Sequence, residues 1–155
     1  MKCPLCGNEM SEKDFGGVTI DYCDNGCKAI WFDNYEIKKL DEKTEGTGES
    51  LNDALSVEYK ERDRNKKLDC PHCNVTLHEH RCRNGKIKID ECYTCGGIFL
   101  EPGELKILRE EFKDDATIES EVTEILKNNK EYVNVMANRD KDGKQRLINI
   151  FRFMK

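Results

Sequence analysis

Eight of the nine cysteines stand as four close pairs, a spacing typical of metal sites. The pairs are Cys3/Cys6, Cys23/Cys27, Cys70/Cys73 and Cys92/Cys95, and Cys82 stands apart from them. Because no secretion signal opens the sequence, we expect reduced thiols, and an odd number cannot pair fully as intrachain disulfides. Four thiolates aimed at one point complete the tetrahedral shell of zinc, so the pairs predict metal binding.

The pairs belong to an internal repeat. Residues 3–7 match residues 70–74, residues 20–23 match 89–92, and residues 27–33 match 95–101. The first repeat has one extra residue in its second knuckle, Cys23-x3-Cys27 against Cys92-x2-Cys95. The repeat predicts one zinc ion in each copy and two per chain, with two ligand sets: Cys3, Cys6, Cys23 and Cys27; Cys70, Cys73, Cys92 and Cys95.

Turns and hairpins must bring each set together. A residue suited to the left-handed region, Gly7 or Asn74, follows the second cysteine of each first knuckle. Between the knuckles, Gly16-Gly17 and Asn84-Gly85 stand beside alternating apolar residues, which predicts a β-hairpin in each copy. A unit of ~40 residues rarely folds on burial alone, so we expect the metal to be structural.

The pattern resembles the TFIIB-type zinc-ribbon family. Both copies carry CPxC, a hairpin, an acidic residue, the second knuckle, an aromatic residue, an acid and a later glutamate. The first copy departs from the family pattern at its longer second knuckle, Cys23-x3-Cys27, and at Ala29 in place of Gly. The second copy departs from it at Phe99 and Glu101 in place of Trp and Asp. The resemblance implies a zinc ribbon and hints at transcription, but it establishes no activity.

A short helix is predicted after each second knuckle. Asp33 and Glu36 form an N-cap and N3 pair, with Ile37 and Leu40 following. In the second copy Glu101 precedes Pro102 at the first helical position, and the apolar residues are Leu105, Leu108 and Phe112. We expect Trp31 and Phe99 to supply the small core of each ribbon.

These patterns divide the chain into four segments. Residues 1–42 form the first four-cysteine ribbon, 43–67 a flexible linker with a short helix at Leu51–Tyr59, 68–112 the second ribbon, and 113–155 an α+β tail. In the tail, residues 118–126 have helical spacing, and residues 132–136 and 147–154 flank the turn-like 140–143. We favour a helix followed by a hairpin, with a final helix as the alternative; the tail packs on a ribbon, dimerises or docks a partner.

Composition, charge and the cysteine pattern disfavour several classes of function. The formal net charge is −5, with 5 basic and 9 acidic residues in 1–42 and 6 and 8 in 68–112, which disfavours non-specific phosphate binding. No apolar run approaches the ~20 residues of a membrane span. Four thiolates close the metal shell, which argues against a catalytic zinc, and a thiol-disulfide enzyme would need a βαβ context.

Other candidate residues have two interpretations. His78, His80 and Cys82 share one strand face and suggest a further small metal site, although an ordinary strand surface is the better account. His72 lies between two ligands and is expected to point outward. Arg81, Arg83, Lys86 and Lys88 surround a hairpin tip, either as a nucleic-acid contact or as a solvated edge that discourages strand pairing, which we favour.

The sequence therefore predicts a small metal-stabilised α+β protein of two tandem zinc ribbons with a C-terminal helix and hairpin tail. We expect a cytoplasmic, non-enzymatic module that binds another macromolecule, with a protein partner favoured by charge and a homodimer through the tail as a further form. A transcription-associated DNA- or RNA-binding protein is the alternative, and a rubredoxin-like or thiol redox protein is the third.

Overall fold

The computed structural model describes residues 1–34, 36, 49–82, 87–111, 115–139 and 148. Within them lie six strands, β1 (Ser11–Asp14), β2 (Thr19–Tyr22), β3 (Ile30–Phe32), β4 (His78–Cys82), β5 (Ile87–Glu91) and β6 (Ile98–Leu100). The same residues contain four helices of eight or more residues: α1 (Glu49–Ser56), α2 (Glu104–Glu111), α3 (Asp115–Asn128) and α4 (Lys130–Arg139). Several predicted features lie outside the described residues: the linker at 43–48, the tip at Asn84-Gly85, Ile37, Leu40, Phe112, and the tail at 140–147 and 149–155.

The six strands form one sheet that runs through both ribbons. Their order is β1-β2-β3-β6-β5-β4, and every neighbouring pair is antiparallel. At the centre Trp31 lies opposite Phe99, its own repeat equivalent, while Ile30 faces Leu100 and Phe32 faces Ile98. The two copies are therefore related by a local two-fold axis through the Trp31–Phe99 pair, as in an isologous dimer interface.

The two faces of the sheet bury different cores. Because side chains alternate along a strand, Ile30 and Phe32 join one core and Trp31 joins the other. The first core continues into helices α1, α2 and α3 through Leu51, Leu105, Leu108, Ile118 and Val122. The second core contains Trp31, Phe99 and cysteines of both clusters. The aromatic residues predicted as core are thus fully buried against the metal-binding face.

Helices α1 and α2 agree with the sequence except at one boundary each. Helix α1 confirms the helix predicted at Leu51–Tyr59 but ends at Ser56. Helix α2 begins at Glu104 and not at Pro102, because Gly103 between them has φ +82°, outside the helical region. The Glu101 N–H still donates to Glu104 Oε2 (2.8 Å), and the Asp33 N–H donates likewise to Glu36 Oε2 (2.7 Å), as the capping pattern predicted.

The tail begins with two helices. Helix α3 confirms the helical spacing at 118–126, since Ile118, Val122 and Ile125 are buried. The strand predicted at residues 132–136 is wrong, because helix α4 covers them. Tyr132, Val135 and Met136 also satisfy a three-to-four residue spacing, and the Val133 N–H donates to the Asn129 carbonyl (3.1 Å), which starts the new helix. No helix among the described residues has the length and apolar character needed to span a membrane.

Candidate metal centres

Each predicted ligand set comes together as a compact cluster of sulfur atoms. The sulfurs of Cys3, Cys6, Cys23 and Cys27 lie within 4.8 Å of one another, as do those of Cys70, Cys73, Cys92 and Cys95. Single Sγ–Sγ distances are 3.5 Å for Cys3–Cys27 and 3.6 Å for Cys70–Cys95. Such separations are far beyond the ~2.05 Å of a disulfide bond.

The clusters fit zinc. With Zn–S bonds of ~2.3 Å, tetrahedral geometry places the sulfurs about 3.8 Å apart, close to the observed separations. The surrounding core is apolar and includes Trp31, Phe99, Leu68 and Leu77. A bound ion would hold these thiolates in a closed shell with no position for water.

The pKa values of the clustered cysteines explain why these sites favour a cation. The hydrogen bond with Cys27 lowers the pKa of Cys3 to about 5, whereas burial raises the pKa of Cys23 to about 11. In the second cluster burial likewise raises the pKa of Cys70 to about 11. Because packed thiols cannot all ionise without a counter-charge, metal binding must release protons and depend on pH.

Local backbone geometry aims the sulfurs. Gly7 (φ +78°) and Asn74 (φ +53°) occupy the left-handed region, as their positions predicted. Their N–H groups donate to the carbonyls of Cys3 and Cys70, both at 2.9 Å. In the second ribbon backbone N–H groups also donate to sulfur, from Cys73 to Cys70 Sγ (3.4 Å) and from Gly97 to Cys95 Sγ (3.4 Å). Such N–H···S bonds stabilise the thiolate form.

The longer knuckle of the first ribbon is accommodated by Gly26 and Lys28. A Cβ at Gly26 would lie 2.6 Å from Cys23 Sγ and 2.7 Å from Asn8 Nδ2, so the extra residue fits only without a side chain. Lys28 has φ +68° where the second ribbon has Gly96. Its ammonium group binds Asp24 (2.9 Å) and Asp53 of helix α1 (2.8 Å), contacts that the sequence pattern did not indicate.

The centre of the sheet joins the two metal-binding faces. A Cβ at Gly97 would lie 2.0 Å from Cζ2 of Trp31, so the indole of one ribbon packs directly on the knuckle of the other. His72, between two cysteines of the second ribbon, also reaches the first. Its Nε2 lies 3.2 Å from Asp33 Oδ1 and its ring centroid 5.8 Å from that of Trp31, with the side chain 42% exposed.

The two histidines of strand β4 have other partners than a metal ion. His78 stacks on Tyr93 with ring centroids 3.8 Å apart, and His80 Nε2 lies 3.0 Å from Glu91 Oε2. The prediction of an open strand surface is wrong for His80, because this residue is buried. Asn129, at the junction of helices α3 and α4, covers it, and Asn129 Nδ2 lies 3.5 Å from His80 Nδ1. The side chain of Cys82 lies outside the described residues.

Comparison with known proteins identifies the repeat. The family described as transcription factor zinc-finger, of the TFIIB zinc-ribbon type, matches residues 2–43 and 69–111, together more than half of the chain. No curated relative and no solved structure matches the chain. The two matched copies and the two four-cysteine clusters together indicate two zinc ions per chain.

Proposed function

Because the chain belongs to the transcription factor zinc-finger family of TFIIB-type zinc ribbons, we propose that it is a non-enzymatic zinc protein that binds another protein. The observation that carries this proposal is the pairing of β3 with β6, which joins two closed zinc centres in one sheet. A zinc ion held by four thiolates stabilises a fold and is a poor Lewis acid. A rigid surface of fixed shape is what such a fold offers to a partner.

Charge favours a protein partner over nucleic acid. In the basic group near the second hairpin, Lys88 Nζ lies 3.4 Å from Glu79 Oε1 and Arg81 Nε lies 3.9 Å from the same atom. Arg83 and Lys86 lie outside the described residues. Cations that already face a carboxylate contribute less to phosphate binding, and the chain as a whole carries a formal net charge of −5.

Transcription-associated binding of DNA or RNA is the second candidate, and the family description favours it. It predicts affinity for mixed-sequence nucleic acid that falls steeply with salt, because each neutralised phosphate releases counterions. A rubredoxin-like electron carrier is the third candidate. Iron bound to four thiolates would make the protein red, whereas zinc protein is colourless, so absorbance of fresh protein separates an iron carrier from a zinc protein.

The cellular setting completes the proposal. We place the protein in the cytoplasm, where reduced thiols persist, and treat self-association through the tail as a second mode of binding. Helix α4 carries Val133, whose side chain is 40% exposed, so this helix has apolar surface for such a contact.

The proposal is tested by photo-crosslinking with zinc-loaded full-length protein in nuclease-treated extract, followed by identification of the captured chains. Cys70→Ser, which disrupts the second centre, is the control that should lose the partner. Fluorescence anisotropy with labelled duplex DNA and single-stranded RNA runs in parallel at two salt concentrations. A specific protein retained only by the two-zinc form supports the proposal. Salt-sensitive nucleic-acid binding that Arg81→Ala abolishes would overturn it in favour of the second candidate.

A further inference from the structure

Each ribbon carries four carboxylates at repeat-equivalent positions. We call Glu12, Asp21, Asp33 and Glu36 the first acidic cluster, and Glu79, Asp90, Glu101 and Glu104 the second acidic cluster. The strand registers support the equivalence, since Glu12 pairs with Asp21 and Glu79 with Asp90. Asp21 and Asp90 in turn pair with Trp31 and Phe99 on the two sides of the local two-fold axis.

The second acidic cluster holds two arginines of the segment that precedes its ribbon. Arg62 Nε lies 2.7 Å from Glu101 Oε1, and Arg64 Nη1 lies 2.8 Å from the same oxygen. Arg64 also reaches the other three carboxylates at 3.4 to 3.7 Å: Glu79, Asp90 and Glu104. An Arg-x-Arg sequence therefore places two positive charges against this cluster.

These ion pairs are buried. The side chains of Glu101 and Glu104 are 1% and 0% exposed, and those of Arg62 and Arg64 are 12% and 15% exposed. The segment is also held by its backbone, because a Cβ at Gly103 would lie 2.3 Å from the Tyr59 nitrogen. Buried carboxylates are costly without a counter-charge, and one forked guanidinium can face several of them at once.

The first acidic cluster has the carboxylates but a different set of partners. Oxygens of Asp21, Asp33 and Glu36 lie within 4.8 Å of one another. Among the described residues, the donors are Trp31 Nε1 (2.9 Å) and His72 Nε2 (3.2 Å) at Asp33 Oδ1, and the Asp33 N–H at Glu36. In the described part of the chain, no lysine or arginine forms an ion pair with these three carboxylates. Burial raises the pKa of Glu36 to about 7, and the charges of Asp33, Asp21 and Glu12 act in the same direction.

We propose that the first acidic cluster binds an Arg-x-Arg segment of the partner protein, as the second acidic cluster binds Arg62 and Arg64. This inference rests on the proposed function and assigns its binding site. The internal copy is the independent observation: the same four positions on the same fold take two guanidinium groups in the second ribbon. Asp33 is 41% exposed, so a guanidinium can reach it from solvent.

A divalent cation is the competing ligand for three clustered carboxylates. Such an ion would exchange some of its bound waters for carboxylate oxygens, and it needs further oxygen ligands to reach a coordination number of six or more. The donors that already bind Asp33 are an indole N–H and an imidazole nitrogen. A planar guanidinium shares its donors among several carboxylates, as in the second cluster, and needs no full coordination shell.

The test uses zinc-loaded full-length protein and a labelled peptide of residues 57–67, which contains the Arg-x-Arg sequence. Fluorescence anisotropy measures binding, and the indole N–H resonance of Trp31, the single tryptophan, reports its place because this group bonds to Asp33. We expect saturable binding with a shift of the indole signal. A peptide with both arginines changed to lysine should bind at least ~5-fold more weakly, since the ammonium lacks the fork.

The variant Asp33→Asn/Glu36→Gln keeps one acceptor oxygen at each position but removes the negative charge, and it should weaken peptide binding at least ~10-fold. The matched control Glu119→Gln/Glu124→Gln removes the same charge from exposed positions of helix α3 and should bind as the wild type. Absence of binding, equal weakening in both variants, or tighter binding of Mn²⁺ that displaces the peptide would overturn the proposal. Failure here with intact zinc-dependent capture of a partner would leave the proposed function standing and move its site elsewhere.

Discussion

The shape of each zinc knuckle depends on single backbone positions beside the ligands. Gly7 and Gly26 both flank cysteines of the first ribbon, but for different reasons. Gly7 has φ +78°, and a Cβ added there would have no neighbour within 4 Å, whereas a Cβ at Gly26 would meet the ligand Cys23 Sγ at 2.6 Å. One glycine is needed for conformation and the other for space.

We therefore expect Gly7→Ala and Gly26→Ala to differ in their effect on the metal. Gly7→Ala should cost ~1–2 kcal/mol of stability through left-handed strain and retain two zinc ions per chain. Gly26→Ala should displace Cys23 and weaken the first zinc site at least ~10-fold, as loss of support around a ligand does. Competition with a chromogenic chelator measures both affinities, and equal zinc affinity in the two variants would contradict the steric argument.

The fit of the two central strands depends on a small residue that packs against a large one. Gly97 admits the indole of Trp31, and the repeat-equivalent positions are Ala29 and Phe99. On one side of the two-fold axis the larger aromatic residue goes with glycine, and on the other side the smaller one goes with alanine. The summed side-chain volume is therefore similar on the two sides, as a close-packed core requires.

Gly97→Ala should destabilise the protein by ~1–3 kcal/mol, because overpacking forces the central strands apart. Adding Trp31→Phe should recover part of the loss, since it recreates the pairing of the other side. The free energies of unfolding of the wild type, the two single variants and the double variant, measured with denaturant, give a double-mutant cycle. Additive losses would show that the two positions are not coupled.

Capping carboxylates at the helix starts make stability depend on pH. The pKa of Glu36 is raised to about 7, above the ~4.3 of an unfolded glutamate. The folded state therefore binds more protons between these values, and this group's contribution to stability falls as pH rises toward 7.

The variant Glu36→Gln should consequently have a higher thermal midpoint than the wild type at about pH 8, by a few degrees, and the gap should narrow toward pH 6. Melting curves in excess zinc at both pH values measure it. Glu119→Gln, on the exposed surface of helix α3, is the control for charge alone. A difference in thermal midpoint that does not change with pH would contradict the raised pKa of Glu36.

The molecule as a whole couples its two metal centres. Strands β3 and β6 share hydrogen bonds, and Trp31 and Phe99 lie in one core with cysteines of both clusters. Loss of the second centre should therefore expose the central face of the first ribbon.

In Cys70→Ser we expect one zinc ion by native mass spectrometry, a red-shifted Trp31 emission and faster release of the remaining zinc. Cys82→Ser is the control and should retain two zinc ions with unchanged emission. Trp31 is fully buried, so its emission is a direct readout of the sheet centre. Unchanged emission in Cys70→Ser would mean that the ribbons fold independently. Loss of zinc in Cys82→Ser would show that the ligand set is wrong.

The sequence determined the parts whose causes are local. Paired cysteines, the glycine and asparagine after them, and the capping carboxylates act within a few residues, so their spacing predicts knuckles, helix starts and the two four-cysteine clusters. The strand prediction at 132–136 is wrong because the apolar residues there satisfy both the strand and the helix period, and helix α4 forms instead.

Only the tertiary structure decided which residues far apart in sequence come into contact. The union of the ribbons through β3 and β6, the fit of Trp31 on Gly97, and the binding of Arg62 and Arg64 by the second acidic cluster join residues far apart in sequence. Backbone pairing at a strand edge and ion pairing in a buried site leave no periodic signature in the chain. They follow from which surfaces meet, and that is settled only when the two copies pack together.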